Sequence, residues 1–191
     1  MHYFLDWILV ILTLMYAGVL IAYRYWFDKL TYFDFKPDQN GPTFTRFSIV
    51  VPARNEEANI KNCLDSLIAQ SYPTNFFEVI VIDDFSEDKT VQIIQEFILL
   101  NPALNLKCIE LENVLQDSIN SYKKYAINYA IKSSRHEWII TTDADCTRNT
   151  KWLQSLDAFI QTNDAYMISA PVIYHYPHSY FEHMQALEFS G

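Results

Sequence analysis

The sequence predicts an α/β protein, doubly wound, with a mostly parallel sheet, helices on both faces and one N-terminal transmembrane helix before it. Three observations lead to this prediction: a long apolar stretch opens the chain, short apolar runs then alternate with helical patterns, and polar clusters follow three of those runs. Continuous runs of four or five apolar residues are typical of strands buried on both faces of a parallel sheet. A length of 191 residues suits one domain with a short appendage.

The first element is an apolar stretch over residues 3–27, interrupted only by Asp6 and Arg24. It is long enough to cross a bilayer as a helix, and aromatic residues crowd both of its ends. The leader lacks the basic region and the cleavage site of a signal peptide, so we expect an uncleaved anchor in the cell membrane rather than a buried core helix. Arg24 and Lys29 follow the uninterrupted apolar part, Trp7–Tyr23, which predicts a single-pass protein with its globular part in the cytoplasm. Residues 28–46 are interpreted as a juxtamembrane linker.

Residues 47–191 are predicted to form the globular domain, in which strands and helices alternate. The predicted strands are Phe47–Val51, Val79–Ile82, Leu106–Ile109, Trp138–Thr142 and Tyr166–Ala170. Apolar residues at helical spacing predict helices between them, over 60–68, 91–98, 122–130 and 152–160. Ligands of such sheets bind beyond the carboxyl ends of the strands, so functional residues are expected just after each strand.

Composition excludes several classes of function. The net charge of −9 argues against a nucleic-acid partner, because such binding depends on basic patches, although a divalent cation would still let an acidic protein hold a diphosphate. With three glycines in the whole chain, a Gly-rich phosphate loop is nearly excluded. The three cysteines, Cys63, Cys108 and Cys146, fit neither a disulfide framework nor a zinc site and are interpreted as reduced thiols.

Two polar clusters follow the first two predicted strands. The first is Pro52-Ala53-Arg54-Asn55-Glu56, which taken alone is typical of a helix start with Asn55 as its cap. The second begins with Asp83 and Asp84. Adjacent carboxylates repel one another unless a cation, a ribose hydroxyl or a base N–H compensates, so this pair favours a ligand-binding role.

A third polar cluster, Asp143-Ala144-Asp145, follows the fourth predicted strand. Carboxylates at i and i+2 on an extended turn can converge on one divalent ion, and hard oxygen ligands suit Mg²⁺ or Mn²⁺. Such an ion would bridge a diphosphate and stabilise its charge as it departs, whereas the alternative is a polar loop tip. Lys123 and Lys124 lie between the second and fourth strands and either join the site or serve only as solvated helix residues.

Four segments in this order resemble a glycosyltransferase family 2 catalytic domain of the GT-A fold: residues 48–60, 79–90, 123–128 and 139–146. The resemblance implies an inverting enzyme that transfers a sugar from a nucleotide-sugar donor, expected to be a UDP-sugar, to a saccharide or lipid acceptor at the membrane. It implies that nucleotide and sugar are held by Pro52, Ala53, Arg54, Asn55, Glu56, Asp83, Asp84, Lys123, Lys124 and Asp143. Asp145, with Asp143, is implied to ligate Mg²⁺ or Mn²⁺ under the diphosphate.

The sequence departs from the family pattern at three places. Phe85 stands where Gly is common, so we expect this loop to avoid a conformation that only Gly adopts; Ser121 and Tyr122 replace a small Gly before the lysines. The downstream acidic cluster that supplies the general base, and the Gln-x-x-Arg-Trp motif, do not occur up to Gly191. We therefore expect a C-terminally incomplete domain that carries the donor-binding half, with a base beyond Gly191 and weak or absent transfer. The region around Glu182 is interpreted as the start of an acceptor-side helix.

Three other classes remain as alternatives. A sugar-nucleotide nucleotidyltransferase shares a related sheet but normally carries a Gly-rich signature near its first strand. A phospho-receiver domain also has an acidic pair, but after its first strand, and Asp143 lies too far along the chain to be its phosphoacceptor. A catalytically inactive nucleotide-binding membrane scaffold would leave the metal-binding carboxylates unexplained.

Overall fold

A computed structural model describes residues 2–29, 33, 44–114, 122–170, 172 and 179–183 of the chain. The chain divides into two compact units: the first comprises Met1–Asp34 and Ala165–Gly191, and the second comprises Phe35–Asp164. Most of the predicted linker lies outside the described residues, so its boundaries stay predictions.

The first unit contains helix α1, His2–Phe27. Its segment Phe4–Phe27 has a mean hydropathy of 2.3, and the described side chains of its most apolar part are not buried. At 1.5 Å per residue, 26 residues extend about 39 Å, more than the roughly 30 Å of a bilayer core. The predicted helix is confirmed, and it is long and apolar enough to cross a membrane by length and composition.

The end of α1 carries the polar groups that the sequence places beside the span. The guanidinium Nε of Arg24 lies 3.1 Å from the carboxylate of Asp28, and the ammonium of Lys29 lies 4.2 Å from the centre of the Tyr25 ring. Cation–ring contacts of this kind are favourable where an aromatic belt meets water.

A second described piece of the first unit begins a helical turn at residues 180–183. The Ser179 hydroxyl accepts from the Glu182 N–H at 3.1 Å, and the Glu182 carboxylate accepts from the Ser179 N–H at 3.0 Å. This reciprocal pair is a capping box, so the turn begins where the sequence predicts a helix start. Its role on the acceptor side stays a prediction.

The second unit is built on a sheet of four parallel strands in the order β3-β2-β1-β4. The strands are β1 Phe47–Ala53, β2 Phe77–Asp83, β3 Leu106–Glu110 and β4 Trp138–Thr141. The helices are α2 Ile60–Ile68, α3 Thr90–Leu100, α4 Tyr122–Lys132 and α5 Trp152–Thr162, with short 3₁₀ turns at Thr74–Phe76 and Leu111–Asn113. The predicted alternation of strands and helices is confirmed for these eight elements.

Both faces of the sheet are covered, as expected for strands with continuous apolar sequences. On one face Ile49 and Val51 of β1 pack with α2, α3 and α5 in the larger core cluster. On the other face Val50 packs with Ile80 and Ile82, against the small residues of α4 and Leu111. Complete burial of an aliphatic side chain stabilises the fold by roughly 1.5–3 kcal/mol. The strand therefore keeps its apolar residues buried on both faces, and their alternation along β1 determines which residues face which helices.

The predicted fifth strand, Tyr166–Ala170, is wrong. These residues are described but have no strand pairing, and Tyr166 and Met167 are 91% and 84% exposed. A short apolar run becomes a strand only where it gains a hydrogen-bonded neighbour and a packed face, and propensity alone does not supply either. The fourth strand also ends one residue earlier than predicted, at Thr141.

Candidate functional site: the carboxyl edge of the sheet

The strand order places the carboxyl ends of β2, β1 and β4 side by side. The chain leaving β2 stays bonded to β1, because the Asp84 N–H donates to the Ala53 carbonyl at 2.9 Å. The chain leaving β4 does the same, since the Thr142 N–H donates to the Val50 carbonyl at 3.0 Å. The prediction that the three polar clusters share one edge of the sheet is therefore confirmed.

The loops that follow β1 and β2 are joined through Asn55. Its N–H donates to the Ser86 hydroxyl at 2.9 Å, and its side-chain oxygen accepts from the Glu87 N–H at 2.8 Å. Asn55 has a φ of 54°, a left-handed conformation that Asn tolerates better than most residues. Helix α2 begins only at Ile60, so the interpretation of Asn55 as a helix cap is wrong: its side chain bonds to the neighbouring loop.

Further along, the same two loops are joined by three more hydrogen bonds. The Glu56 N–H donates to the Thr90 hydroxyl at 2.8 Å, the Glu57 N–H to the Asp88 carboxylate at 3.1 Å, and the Lys89 N–H to the Glu57 carboxylate at 3.1 Å. Thr90 is fully buried and also donates to Asp88 at 2.5 Å. These loops therefore hold each other in place, which the sequence analysis missed although Asp88 and Thr90 stand where an α3 cap is expected.

Asp83 and Asp84 are buried at the centre of this edge, with 4% and 8% of their surface exposed. One oxygen of Asp83 accepts from the Ser86 N–H at 3.1 Å, and one oxygen of Asp84 lies 4.0 Å from the Arg54 guanidinium. The other oxygen of each is buried without a hydrogen bond among the described residues. A buried carboxylate oxygen without a donor is costly, so this pair is suited to receive N–H or O–H groups of a ligand.

Burial raises the pKa of Asp84. The positive charge of Arg54 opposes this shift, and the negative charge of Asp83 adds to it. The electrostatic cost foreseen for adjacent carboxylates is therefore present in the fold.

Phe85 follows this pair with a φ of 56°. This value lies in the left-handed region, which favours Gly but which other residues also adopt, at a backbone cost of roughly 1–2 kcal/mol. Its partly buried ring packs against the cluster that contains Ile80 and Ile82. Burial of the ring offsets a cost of this size.

The segment after β4 points two carboxylates outward. Ala144 is 2% exposed and packs in the larger core cluster, whereas Asp143 and Asp145 on either side of it are exposed. The Asp143 carbonyl accepts from the Cys146 N–H at 3.3 Å and lies 3.9 Å from the Cys63 sulfur. The alternation of buried and exposed residues presents both carboxylates at the surface of the carboxyl edge.

Within the described ranges, no three His, Cys, Asp or Glu side chains form a group that could hold a metal ion. Asp143 and Asp145 are nevertheless hard oxygen donors of the kind that Mg²⁺ and Mn²⁺ take, and these ions commonly retain water and phosphate oxygens as further ligands. The two exposed carboxylates therefore fit such an ion when a diphosphate shares it.

The remaining predicted site residues are at or near the same edge. Pro52 and Ala53 end β1, and Arg54 is exposed apart from its contact with Asp84. Lys124 is exposed in the first turn of α4, and the side chain of Lys123 lies outside the described residues. Helix α4 returns the chain from the carboxyl end of β3 to the start of β4, so its first turn lies toward the carboxyl edge. Roles of both lysines stay predictions.

Comparison with known proteins places this site in a family. Residues 48–189 match the family model described as Glycosyl transferase family 2. The chain belongs to glycosyltransferase family 2. Its matched region contains the four strands and the three polar strand ends described above.

This family 2 chain is similar to the poly(ribitol-phosphate) beta-N-acetylglucosaminyltransferase TarS of Staphylococcus aureus, with 36% identity over 115 residues. The matched residues cover 60% of this chain and 19% of TarS. The crystal structure of TarS residues 1–349 in complex with UDP-GlcNAc matches with a TM-score of 0.51 and 32% identity, covering 62% of this chain and 32% of that one. The chain therefore spans about a fifth of the curated relative's length.

A second similar protein is the mannosyltransferase PcManGT of Pyrobaculum calidifontis, whose structure contains GDP-Man and Mn²⁺. It matches with a TM-score of 0.59 and 26% identity, covering 72% of this chain and 38% of that one. Both structural neighbours are GT-A glycosyltransferases, so the predicted fold class is confirmed.

Proposed function

We propose that the chain binds a UDP-sugar at the carboxyl edge of its sheet and contributes to inverting transfer of the sugar to a saccharide or lipid acceptor at a membrane. The buried pair Asp83 and Asp84 carries this proposal, because two of its oxygens lack donors while Asp143 and Asp145 stand exposed beside it. Family membership supports the reaction class.

The nucleoside is assigned to the loops that follow β1 and β2. Asp84 and Asp83 would accept hydrogen bonds from the base and the ribose, and Pro52, Ala53, Arg54, Asn55 and Glu56 would line the same pocket. Hydrogen-bond donors of a ligand would offset the cost of burying this carboxylate, which raises the pKa of Asp84. Uridine is favoured over guanosine because TarS, found with UDP-GlcNAc, is more similar in sequence than PcManGT, found with GDP-Man.

The diphosphate and the sugar are assigned to the end of β4. Asp145, with Asp143, would hold Mg²⁺ or Mn²⁺, and Asp143 would also contact the donor. When bound, the cation supplies positive charge to the departing diphosphate. Lys123 and Lys124 would add positive charge from the start of α4. The Mn²⁺ in the PcManGT complex supports a divalent ion in this role.

The acceptor half of the reaction needs a base that removes a proton from the acceptor hydroxyl. In the family pattern a downstream acidic cluster supplies this base, and none of the residues assigned above takes that role. We also propose that α1 anchors the protein in the cell membrane with the second unit in the cytoplasm, supported by its length and apolar composition, by Arg24 in its last turn and by Lys29 just after it.

The experiment is a calorimetric titration of the full chain in detergent micelles with UDP, GDP and ADP, with and without Mn²⁺. We expect UDP to bind best, with a dependence on Mn²⁺ that Asp145→Ala removes. Glu137→Ala is the matched control, since this exposed carboxylate precedes β4 at the opposite edge.

A folded chain that binds none of the three nucleotides would contradict the proposal. UDP binding that ignores both Mn²⁺ and Asp145→Ala would instead favour a nucleotide-binding scaffold.

A further inference from the structure

The segment that carries the two exposed aspartates is held at both of its ends. At its start, the Thr142 N–H bonds to β1 and Ala144 is buried in the core. At its other end, the Thr150 carbonyl accepts from the Ser71 N–H at 2.7 Å. Asp145 therefore lies on an arch, residues 142–150, whose far end rests on the connection between α2 and β2.

Gln70 forms the second support of that far end. This side chain is 8% exposed, and its Nε2 donates to the Asn149 carbonyl at 2.7 Å and to the Ser66 carbonyl at 2.9 Å. Its Oε1 accepts from the Leu153 N–H at 3.1 Å. Two carbonyls face the nitrogen and one N–H faces the oxygen, so hydrogen bonding fixes the orientation of the amide.

Between its two ends, the described contacts of the arch are mostly short-range, and the Cys146 thiol interacts with the side chains of Asp145 and Arg148. Arg148 makes local contacts: its guanidinium donates to the Thr147 carbonyl at 3.0 Å and lies 5.1 Å from the centre of the Trp152 ring. Asp145 is exposed, so packing does not fix its position. Apart from the 3.9 Å contact between the Cys63 sulfur and the Asp143 carbonyl, the described hydrogen bonds that tie the arch to the rest of the second unit lie at its two ends.

We propose that Gln70 is a positioning residue for Asp145, which it holds in place for a divalent cation through the far end of the arch. The inference rests on the proposed function. It extends that function to a buried amide that lies on another element and touches neither cation nor donor. Groups that orient metal ligands typically change metal affinity 10- to 100-fold when they are removed.

The test compares Gln70→Leu and Gln70→Glu in the full chain. Leu fills similar space without hydrogen bonds, whereas Glu keeps the shape but turns an acceptor oxygen toward two carbonyls. For both variants we expect the Mn²⁺ concentration that gives half-maximal UDP binding to rise about tenfold. UDP binding without Mn²⁺ should not change, because the nucleoside loops are fixed by Thr90 and Asn55 instead.

Two variants on α5 make the test independent of the folding of the Gln70 variants. Gln154→Ala removes a 2.6 Å bond to the Ser71 carbonyl at the same support and should raise the Mn²⁺ requirement, by less than the Gln70 changes. Gln161→Ala removes bonds to Thr45 and Asp157 elsewhere on the same helix and should leave the requirement unchanged.

Melting temperatures separate a positioning role from a general loss of structure. The inference fails, and Gln70 is only a structural residue, in either of two cases. In the first, Gln70→Leu, Gln70→Glu and Gln154→Ala leave the Mn²⁺ requirement at the wild-type value. In the second, they weaken metal-free UDP binding as much as they weaken UDP binding in the presence of Mn²⁺. If wild type shows no Mn²⁺-dependent UDP binding at all, it is the proposed function that fails.

Discussion

Strand β2 has buried carboxylates near both of its ends, and their hydrogen-bond partners and nearby positive charges differ between the two ends. Near its start, Glu78 is 1% exposed; one of its oxygens accepts from the Ser48 hydroxyl and from the Arg135 N–H, both at 2.6 Å. The other oxygen also lacks a hydrogen bond among the described residues, but it lies 3.8 Å from the Lys107 ammonium and 3.9 Å from Arg135 Nε. At the carboxyl end, Asp83 and Asp84 share one N–H and one distant guanidinium, and each keeps a buried oxygen without a donor.

The shifts in pKa follow the same division. Burial alone would raise the pKa of Glu78, but hydrogen bonds from Ser48 and Arg135 and the charge of Lys107 lower it overall. For Asp84 the effect of burial prevails and the pKa is raised. A buried carboxylate that receives two hydrogen bonds and faces two positive charges stabilises the fold, whereas a pair with one hydrogen bond and one distant guanidinium is suited to a ligand.

The largest expected effect on stability belongs to Glu78. Glu78→Gln keeps the shape but removes the charge that Lys107 and Arg135 face, and we expect it to lower the free energy of unfolding by about 2 kcal/mol. Urea denaturation measures this. Glu137→Gln, a change at an exposed carboxylate two residues after Arg135, should alter stability by less than about 0.5 kcal/mol. Equal effects of the two changes would remove the distinction between a supported buried carboxylate and a surface one.

The change in stability with pH should have opposite signs for the buried carboxylates at the two ends of β2. The folded-state pKa of Glu78 lies below its unfolded value of about 4.3, so its contribution is complete above that pH and is lost as pH falls through the folded pKa. The advantage of wild type over Glu78→Gln should therefore shrink in acid.

The folded-state pKa of Asp84 lies above its unfolded value of about 3.9, so its charged form destabilises the fold, and this cost is relieved as pH falls through the folded pKa. Wild type should therefore gain stability relative to Asp84→Asn in acid. Denaturation curves between about pH 3 and 7 check both signs, and a shared sign would contradict the comparison.

A smaller effect is expected where the fold does supply donors at the carboxyl edge. Thr90→Val leaves the Glu56 N–H without its buried partner and should cost about 1.5 kcal/mol in thermal or urea unfolding. Thr162→Val removes a hydroxyl that donates to a carbonyl within its own helix and should cost less. If the two changes cost the same, the bond between the β1 and β2 loops does not stabilise the fold.

The smallest effect on stability is expected at the candidate site itself. Asp84→Asn removes a charge that burial and Asp83 disfavour, at the expense of the long contact with Arg54. We expect the melting temperature to stay the same or to rise slightly, as is common where a binding site carries electrostatic cost. A large fall would show that Asp84 acts as Glu78 does.

Much of the sheet could be predicted because apolar runs such as Val79–Ile82 report burial directly. The edge of the sheet that holds the candidate site could also be predicted. Parallel strands of one sheet end at the same edge, and Asp84 and Asp143 each follow such a strand. What failed depended on partners distant in sequence. The run at 166–170 has the composition of a strand, but composition does not reveal that it lacks a neighbour.

The supporting bonds of the site were missed for the same reason. Ser86 and Thr90 meet Asn55 and Glu56 only after two strands have paired, and Gln70 meets Asn149 across 79 positions of sequence. Glu78 lies within an apolar strand, and a lone Glu in such a run signals a buried partner. Polar residues whose role is to hold other residues have no local pattern that identifies them.

The most direct measurement is a calorimetric titration of the full chain with UDP in the presence of Mn²⁺, for wild type, Asp84→Asn and Glu78→Gln at a temperature where all three are folded. We expect Asp84→Asn to weaken UDP binding on the order of 100-fold, since a hydrogen bond to a charged group is lost, while Glu78→Gln keeps wild-type affinity. Wild-type affinity in Asp84→Asn, or an equal loss in both variants, would contradict the assignment of the donor site to the carboxyl end of β2.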